Sequence, residues 1–344
     1  MTPAISVVMA VYNGEKYLRD AIDSILNQTF SNFEFIIIND GSTDKSRDII
    51  LSYTDRRIRL IDNERNIGLT KSLNIGIRAA KGKYIARMDA DDISLPKLFE
   101  IQYKYMEENP DIDICGSRYM VLGQNKIKEL PTSPEFIKIL LFQGINPIAH
   151  PSVIMRKKSL DKHNIFYNEK YRFAQDFALW ASSYNVLDIT NTPDILLKLR
   201  IHDLQTTQIM KTQQKETINQ ICIEQLSLLG IKPNKKTEEV HLCHINNSPL
   251  KNLKQVELSE QWLLRLKHKN DELEIFTKSL FKHLIEQWRN QKYTNYFVKK
   301  SFKPKIIMDL YNRKYRFFKR ISLSNQLRII IKSTILWKTT SILF

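Results

Sequence analysis

Lys83-Tyr84-Ile85-Ala86-Arg87-Met88-Asp89-Ala90-Asp91-Asp92 opens as a strand and closes on three carboxylates. Tyr84, Ile85 and Met88 suit a buried or half-buried strand. Pro96 follows and begins a new element. A strand that delivers Asp-x-Asp to its C-terminal end builds a site for a hard divalent cation. Carboxylate oxygens suit Mg²⁺ or Mn²⁺, and the ion keeps positions open for phosphate oxygens. Three acids in isolation would more often make a solvated turn, so the chain on either side has to decide.

Upstream, Ile5-Ser6-Val7-Val8-Met9-Ala10-Val11-Tyr12 is a near-continuous apolar run, as expected of a strand covered on both faces. Asn13-Gly14 stops it. Tyr17, Leu18, Ala21, Ile22, Ile25 and Leu26 then recur at helical spacing, which predicts a helix over 15–28. Phe33 to Asp40 reads as a second buried strand, Gly41-Ser42-Thr43-Asp44 as a turn, and 45–53 as a helix. Ile58 to Ile61 is a third strand, Asn66-Ile67-Gly68-Leu69 a loop, and 70–80 a helix ended by Gly82. Four strands alternating with helices predict a mostly parallel α/β sheet with right-handed crossovers. Ligands of such sheets bind outside the carboxyl ends of the strands. Tyr12-Asn13, Asp40-Gly41-Ser42 and Asp89-Ala90-Asp91 all fall there.

Two phosphate-binding classes are excluded. No G-x-G-x-x-G and no G-x-x-x-x-G-K-[ST] occurs in the chain. Phosphate charge would have to be met by a metal and basic side chains.

Taken together, Val8-Met9-Ala10-Val11-Tyr12-Asn13, Asn39-Asp40-Gly41-Ser42-Thr43-Asp44, Asn66-Ile67-Gly68-Leu69 and Asp89-Ala90-Asp91-Asp92 resemble the family 2 glycosyltransferases. The four motifs come in that family's order, and the resemblance covers about residues 4–205. It implies a GT-A fold and an inverting transfer from a UDP-sugar. By the same resemblance Ala10, Tyr12 and Asp40 hold the nucleobase, while Glu15 and Asn66 lie near the nucleoside. Asn13 and Ala90 join the nucleotide-sugar set, and Asp89 and Asp91 hold the ribose and a Mn²⁺ or Mg²⁺ that binds the donor diphosphate. Asp92 is expected to shape the turn.

Residues 95–108 predict a helix, Ile112 to Cys115 a strand and Val153 to Met155 another; residues 116–148 show no clear period. His150-Pro151-Ser152 resembles a segment of many bacterial members, which leaves His150 open between packing and a role near the acceptor. In Phe173-Ala174-Gln175-Asp176-Phe177-Ala178-Leu179-Trp180, Asp176 falls in the first turn of a helix, a place that favours an ionised carboxylate. The family pattern here is Glu-Asp with the Asp as general base; Asp176 matches it, and Gln175 replaces the Glu. Arg200-Ile201-His202 resembles an Arg-x-His of bacterial members, which makes His202 a candidate metal ligand beside Asp89 and Asp91.

The chain has 344 residues and a formal net charge of +16, which points to an anionic partner. Three scattered cysteines argue against a disulfide framework. Met1 to Val11 lacks the basic start of a signal peptide, and no run is long and apolar enough to span a membrane. The expected organisation is a catalytic domain over 1–205, a helical extension over 206–298 with helices at 206–229 and 256–290, and a basic tail over 299–344. His241 and His244 are expected to be structural, since no second ligand pair stands at finger-like spacing. The tail carries twelve Lys or Arg against one acid, Asp309, with Tyr311, Tyr315, Phe317, Phe318 and Trp337 interleaved. That composition reads as a segment lying on an anionic membrane surface. The whole predicts an enzyme on the inner face of the cell membrane, acting on a lipid-linked glycan. The rivals are a nucleic-acid or anionic-polymer binding protein and a metal-dependent nucleotidyltransferase, though no recognised nucleic-acid module is present.

Overall fold

The computed structural model describes residues 2–124, 126–202 and 210–299. The basic tail beyond Lys299 lies outside the described residues, so its expected membrane role has no structural counterpart here. The chain divides into two compact units, Met1–Ile221 and Cys222–Phe344.

The first unit is built on one sheet. Strands β1 (Ile5–Val11), β2 (Phe33–Asn39), β3 (Ile58–Asp62) and β4 (Tyr84–Met88) form its parallel half, in the order β3-β2-β1-β4. Helices α1 (Leu18–Leu26), α2 (Ser46–Leu51) and α3 (Leu69–Ala79) make the connections. Leu18, Ala21, Ile22 and Ile25 are the buried face of α1, the i, i+3, i+4, i+7 stripe expected from the sequence. α1 is shorter than the predicted 15–28, because residues 14–17 form a turn in which Gly14 O accepts from the N–H groups of Tyr17 and Leu18.

Beyond β4 the sheet becomes mixed. β5 (Ile93–Ser94) and α4 (Leu98–Glu108) lead to β6 (Ile114–Val121), and β7 (Ile127–Lys128) pairs back on it. α5 (Pro134–Phe142) precedes β8 (Ile154–Arg156), then come α6 (Lys157–His163), α7 (Gln175–Ser183) and β9 (Ile189–Leu199). The remaining order is β4-β8-β6-β9-β5, with β8 antiparallel to both β4 and β6, and β9 parallel to β6. β6 therefore runs well past the predicted Cys115. The core joins both halves of the sheet: Val7, Met9, Phe35, Ile37, Tyr84 and Met88 pack with Phe99, Met106, Cys115 and Leu197.

This topology positions the loops. Parallel pairing puts the C-terminal ends of β1, β2 and β4 on one edge. Because β8 is antiparallel to β4, with Ile154 opposite Ala86, the segment before β8 comes to that same edge.

C-terminal to the sheet lie α8 (Lys211–Glu224), a 3-10 turn at Gln225–Leu229, α9 (Lys235–Ile245), α10 (Leu253–Leu273) and α11 (Lys278–Lys299). The helix expected over 256–290 is in fact two. Glu274 takes a left-handed conformation at φ 53°, and the Asn270 amide brackets the turn, donating to Phe276 O at 2.9 Å and accepting from Phe276 N at 2.8 Å. His241 and His244 are buried; Trp262 Nε1 donates to His241 Nδ1, and His244 Nε2 meets Ser259 Oγ and stacks on Trp288. Glu260 is paired with Arg289 and accepts from the Tyr293 hydroxyl at 2.7 Å.

Candidate active site

The loops after β1 and β2 are knitted together by carboxylate and amide caps. Asn13, at φ 51°, donates its N–H to Ser42 Oγ and accepts from Thr43 N at 2.9 Å. Glu15 and Asp44 are reciprocal: Glu15 N donates to Asp44 Oδ2, and Lys45 N donates to Glu15 Oε2, each at 2.9 Å. Burial raises the Asp44 carboxyl, but hydrogen bonds from Ser46 and the Glu15 N–H outweigh it and leave the pKa below the ordinary value. Gly41, at φ +67°, is where the 63–68 loop crosses; a Cβ there would lie 2.5 Å from the Arg65 carbonyl carbon.

Asp40 is the buried centre of this region at 2 % exposure. Its Oδ1 accepts from Asn63 Nδ2 and Ile67 N, and its Oδ2 from Gly68 N, all within 2.8–2.9 Å. Most of its acceptor capacity is thus spent on the loop that opens α3. Ala10 is half-buried, Asn66 exposed, and Tyr12 half exposed.

At the end of β4 the situation changes. Ligand atoms of Asp89, Asp91 and Asp92 lie within 4.8 Å of one another. Asp89 and Asp91 are half-buried and Asp92 is buried. Asp89 is held by both terminal nitrogens of Arg87, a guanidinium buried two residues back on the same strand. Burial would strip the Arg87 proton, yet the Asp89 charge outweighs it and the group stays cationic. Burial pushes Asp89 above the usual carboxylate range despite Arg87, and pushes Asp92 well above it, with the Asp89 and Asp91 charges adding.

His202, the candidate metal ligand, comes to this turn with Nε2 2.9 Å from Asp91 Oδ2. Arg200 fixes that approach. Its backbone N–H donates to Asp92 Oδ1, its Nε to Asp91 O, and its guanidinium lies 4.2 Å over the Tyr17 ring while reaching Asp20. The Tyr17 ring also meets His202, with the ring centroids 5.0 Å apart. The three crowded carboxylates offer oxygen ligands of the kind that suit Mg²⁺ or Mn²⁺, with the His202 imidazole beside Asp91.

Asp176 stands in the first turn of α7, where the sequence put it, after Ala174 in a left-handed conformation at φ 52°. Asn146 Nδ2 donates to its Oδ2 at 2.7 Å. Burial raises its pKa above the ordinary value; the Phe177 N–H, Arg87 and Asn146 pull the other way without cancelling it. His150 is 7 % exposed, with Nε2 2.6 Å from the Tyr167 hydroxyl and its ring edge-on to Trp180. Burial and the Arg87 charge push its pKa far below the ordinary value, which favours the neutral ring.

Arg87, Asn146 and Tyr167 had no assigned part in the sequence reading. Arg87 was detectable: an arginine inside an apolar strand must find a buried partner. Asn146 and Tyr167 are brought in only by tertiary structure.

Residues 6–165 match the sequence profile described as Glycosyl transferase family 2. An uncharacterized glycosyltransferase of Haemophilus influenzae is 33% identical over 267 residues, spanning 72% of this chain and 82% of the relative. The O-antigen biosynthesis glycosyltransferase WbnJ of Escherichia coli is 38% identical over 216 residues, 59% of this chain and 81% of its own. Among solved structures, S. aureus TarS 1-349 in complex with UDP-GlcNAc superposes with a TM-score of 0.57 at 17% identity, covering 84% of this chain and 90% of that one. That likeness is one of fold.

Proposed function

The chain belongs to glycosyl transferase family 2 and has its GT-A fold, and on that premise we propose that it moves a hexose or N-acetylhexosamine from a UDP-sugar to a lipid-linked or oligosaccharide acceptor in surface-polysaccharide synthesis. The observation that carries this reading is the meeting, on one sheet edge, of the Asp89-Asp91-Asp92 turn, His202 and the raised carboxyl of Asp176. The O-antigen role of the WbnJ relative supports the acceptor class, and the UDP-GlcNAc bound by TarS supports the donor class.

In this reading Tyr12, Ala10 and the remaining lone pair of Asp40 receive the nucleobase, with Asn13, Glu15 and Asn66 around the nucleoside. Asp89 and Ala90 border the ribose. Asp91, Asp89 and His202 would hold a divalent cation, which when bound neutralises charge developing on the leaving diphosphate. Asp176 takes the proton of the acceptor hydroxyl as that oxygen attacks C1 of the sugar. The bond from C1 to the diphosphate oxygen breaks, UDP leaves, and attack on the opposite face inverts the anomeric centre. The raised pKa suits Asp176 to the task, since a base near the working pH both accepts and releases a proton readily.

Among the described residues no helix is long and apolar enough to cross a membrane. The basic tail gives the enzyme a surface hold on the inner leaflet in this reading, at about 1 kcal/mol per engaged Lys or Arg.

The test is a panel of nucleotide-sugars with purified protein, read as UDP release with and without EDTA. Metal-dependent release of UDP from one or two donors is expected. Release of diphosphate from UTP and a sugar 1-phosphate, assayed in parallel, would instead make the chain a nucleotidyltransferase, and no turnover of any sugar nucleotide would reject the proposal.

A further inference from the structure

One side chain of α3 grips the loop that presents Asp176. Asn74 sits mid-helix and is 1 % exposed. Its Nδ2 donates to Tyr167 O at 2.9 Å, and its Oδ1 accepts from Tyr167 N at 2.9 Å. Both main-chain polar groups of Tyr167 are therefore satisfied by a single amide, which fixes the residue in translation and rotation together. Nδ2 also reaches Glu169 Oε1 at 3.3 Å, and one turn earlier on the same helix Thr70 Oγ1 donates to Tyr171 O. The network sets the amide orientation, since exchanging O and N would oppose like groups at both ends.

The two ends of this link matter. α3 opens at Gly68, whose N–H is held by Asp40 Oδ2 on the donor side. At the other end, the Tyr167 hydroxyl meets His150, and the Asp176 and Asp89 carboxylates lie near enough to help burial push its pKa up. Seven residues on, the left-handed Ala174 turns the chain into α7 and Asp176. A contact serving cohesion alone needs no such geometry; Leu73 and Ile77 of the same helix already bury apolar surface.

We propose that Asn74 is a positioning residue of the transfer reaction: by clamping Tyr167 it fixes the 164–174 loop and thereby the placement of Asp176 relative to the acidic turn. This rests on Asp176 being the general base. Small displacements of such a group are costly, about a hundredfold in rate for about 1 Å.

The test uses the full chain with Asn74→Ala, Asn74→Asp, Asp176→Asn and the two double variants. Asn74→Asp keeps the side-chain size and the acceptor for Tyr167 N–H but loses the donor to Tyr167 O. UDP affinity, measured directly, reports an intact donor side in every variant. The expected result is a fall in kcat of at least about tenfold in both Asn74 variants, with UDP Kd and donor KM within about twofold of the parent. In the Asp176→Asn background the Asn74 changes should add nothing further, because the group they place has already lost its function. If Asp176→Asn leaves no measurable rate, the split between kcat and donor KM in the single variants decides. Losses that multiply in the double variants, a loss confined to UDP affinity, or parental turnover in Asn74→Ala would overturn the inference. Parental turnover in Asp176→Asn would instead reject the base, whatever the Asn74 variants do.

Discussion

The loops after β1 and β2 and the turn after β4 stand on the same sheet edge, carry the same residue type, and treat it in opposite ways. In the first region carboxylates are consumed by main-chain amides: Asp40 takes two N–H groups and a side-chain amide, while Asp44 and Glu15 cap each other's loops. The Asp44 pKa falls there. In the second region carboxylates face one another and side-chain cations, and Asp89, Asp92 and nearby Asp176 all have raised values. The lesson concerns where charge is balanced. Carboxylates whose oxygens are taken up by amides brace the loops as a frame, whereas crowded ones hold the capacity proposed here, to bind a cation or take a proton.

The largest effect should come from the unbalanced turn. Asp91→Ala removes a carboxylate and the partner of His202 Nε2. Cation stabilisation of a leaving group amounts to several kcal/mol, so transfer should fall by at least about a thousandfold. Excess EDTA should do the same to the parent, measured as UDP release. Thermal stability should hold or rise, because one of several crowded negative charges has gone. Full activity in excess EDTA would break the comparison at its stronger end.

Asp176→Asn comes next, with a loss of about a hundredfold or more in turnover, the usual worth of a general base. Its pH profile sharpens the point. A base acts only when deprotonated, and burial raises this carboxyl, so activity should rise with pH through a value above the ordinary carboxylate range. Below that value Asp176 is protonated and the rate falls. The acidic limb should vanish in the variant while UDP binding persists. A limb that survives unchanged would assign it to another group.

The third effect is one of stability. Asp40→Ala strands the Ile67 and Gly68 N–H groups at a buried position and leaves Asn63 Nδ2 with Ser72 Oγ as its remaining acceptor. A buried donor left without its partner costs about 1–3 kcal/mol. Denaturant midpoints should drop accordingly, and UDP affinity should fall with them. Lost UDP affinity at unchanged stability would leave Asp40 a ligand contact alone, with no part in the frame.

The same contrast explains how much the sequence revealed. The parallel half was legible because β1 and β2 are near-continuous apolar runs closed by turn signals at Asn13-Gly14 and Gly41, and helical spacing separates each strand from the next. Asp176 and His202 could be placed by local pattern and resemblance. The mixed half was hidden by irregular pairing. β9 contains Pro193 and Asp194 between the pairs Ser117↔Thr192 and Arg118↔Ile195, where the register shifts. A proline inside a run argues against a strand until a bulge makes room for it. β7 is two exposed residues and has no periodicity to detect. The break at Glu274 was invisible for a related reason, since the left-handed position carries no glycine and is bracketed by the Asn270 amide bonding across the turn to Phe276. Asn74 and Tyr167, 93 residues apart, use that same two-ended amide clamp, and no local window contains both.

The smallest effect should belong to Glu15, and it separates frame from contact most finely. Its Oε2 accepts the Lys45 N–H at 2.9 Å just before α2, an exposed bond at the start of a helix. Losing a helix-start cap costs about 0.5–2 kcal/mol, toward the lower end where water can replace the partner. Glu15→Gln retains a side-chain acceptor for that N–H, whereas Glu15→Ala does not. If Glu15 only braces the loop, Gln should match the parent in both stability and donor KM, and Ala should lose about 0.5 kcal/mol of stability with at most about a twofold change in KM. If Glu15 also touches the nucleoside through its charge, Gln should raise donor KM severalfold while stability stays at the parental value. Equilibrium unfolding and UDP titration on the two variants measure the two quantities separately. The second outcome would place an unbalanced charge inside the frame and redraw the boundary between the two regions at residue 15.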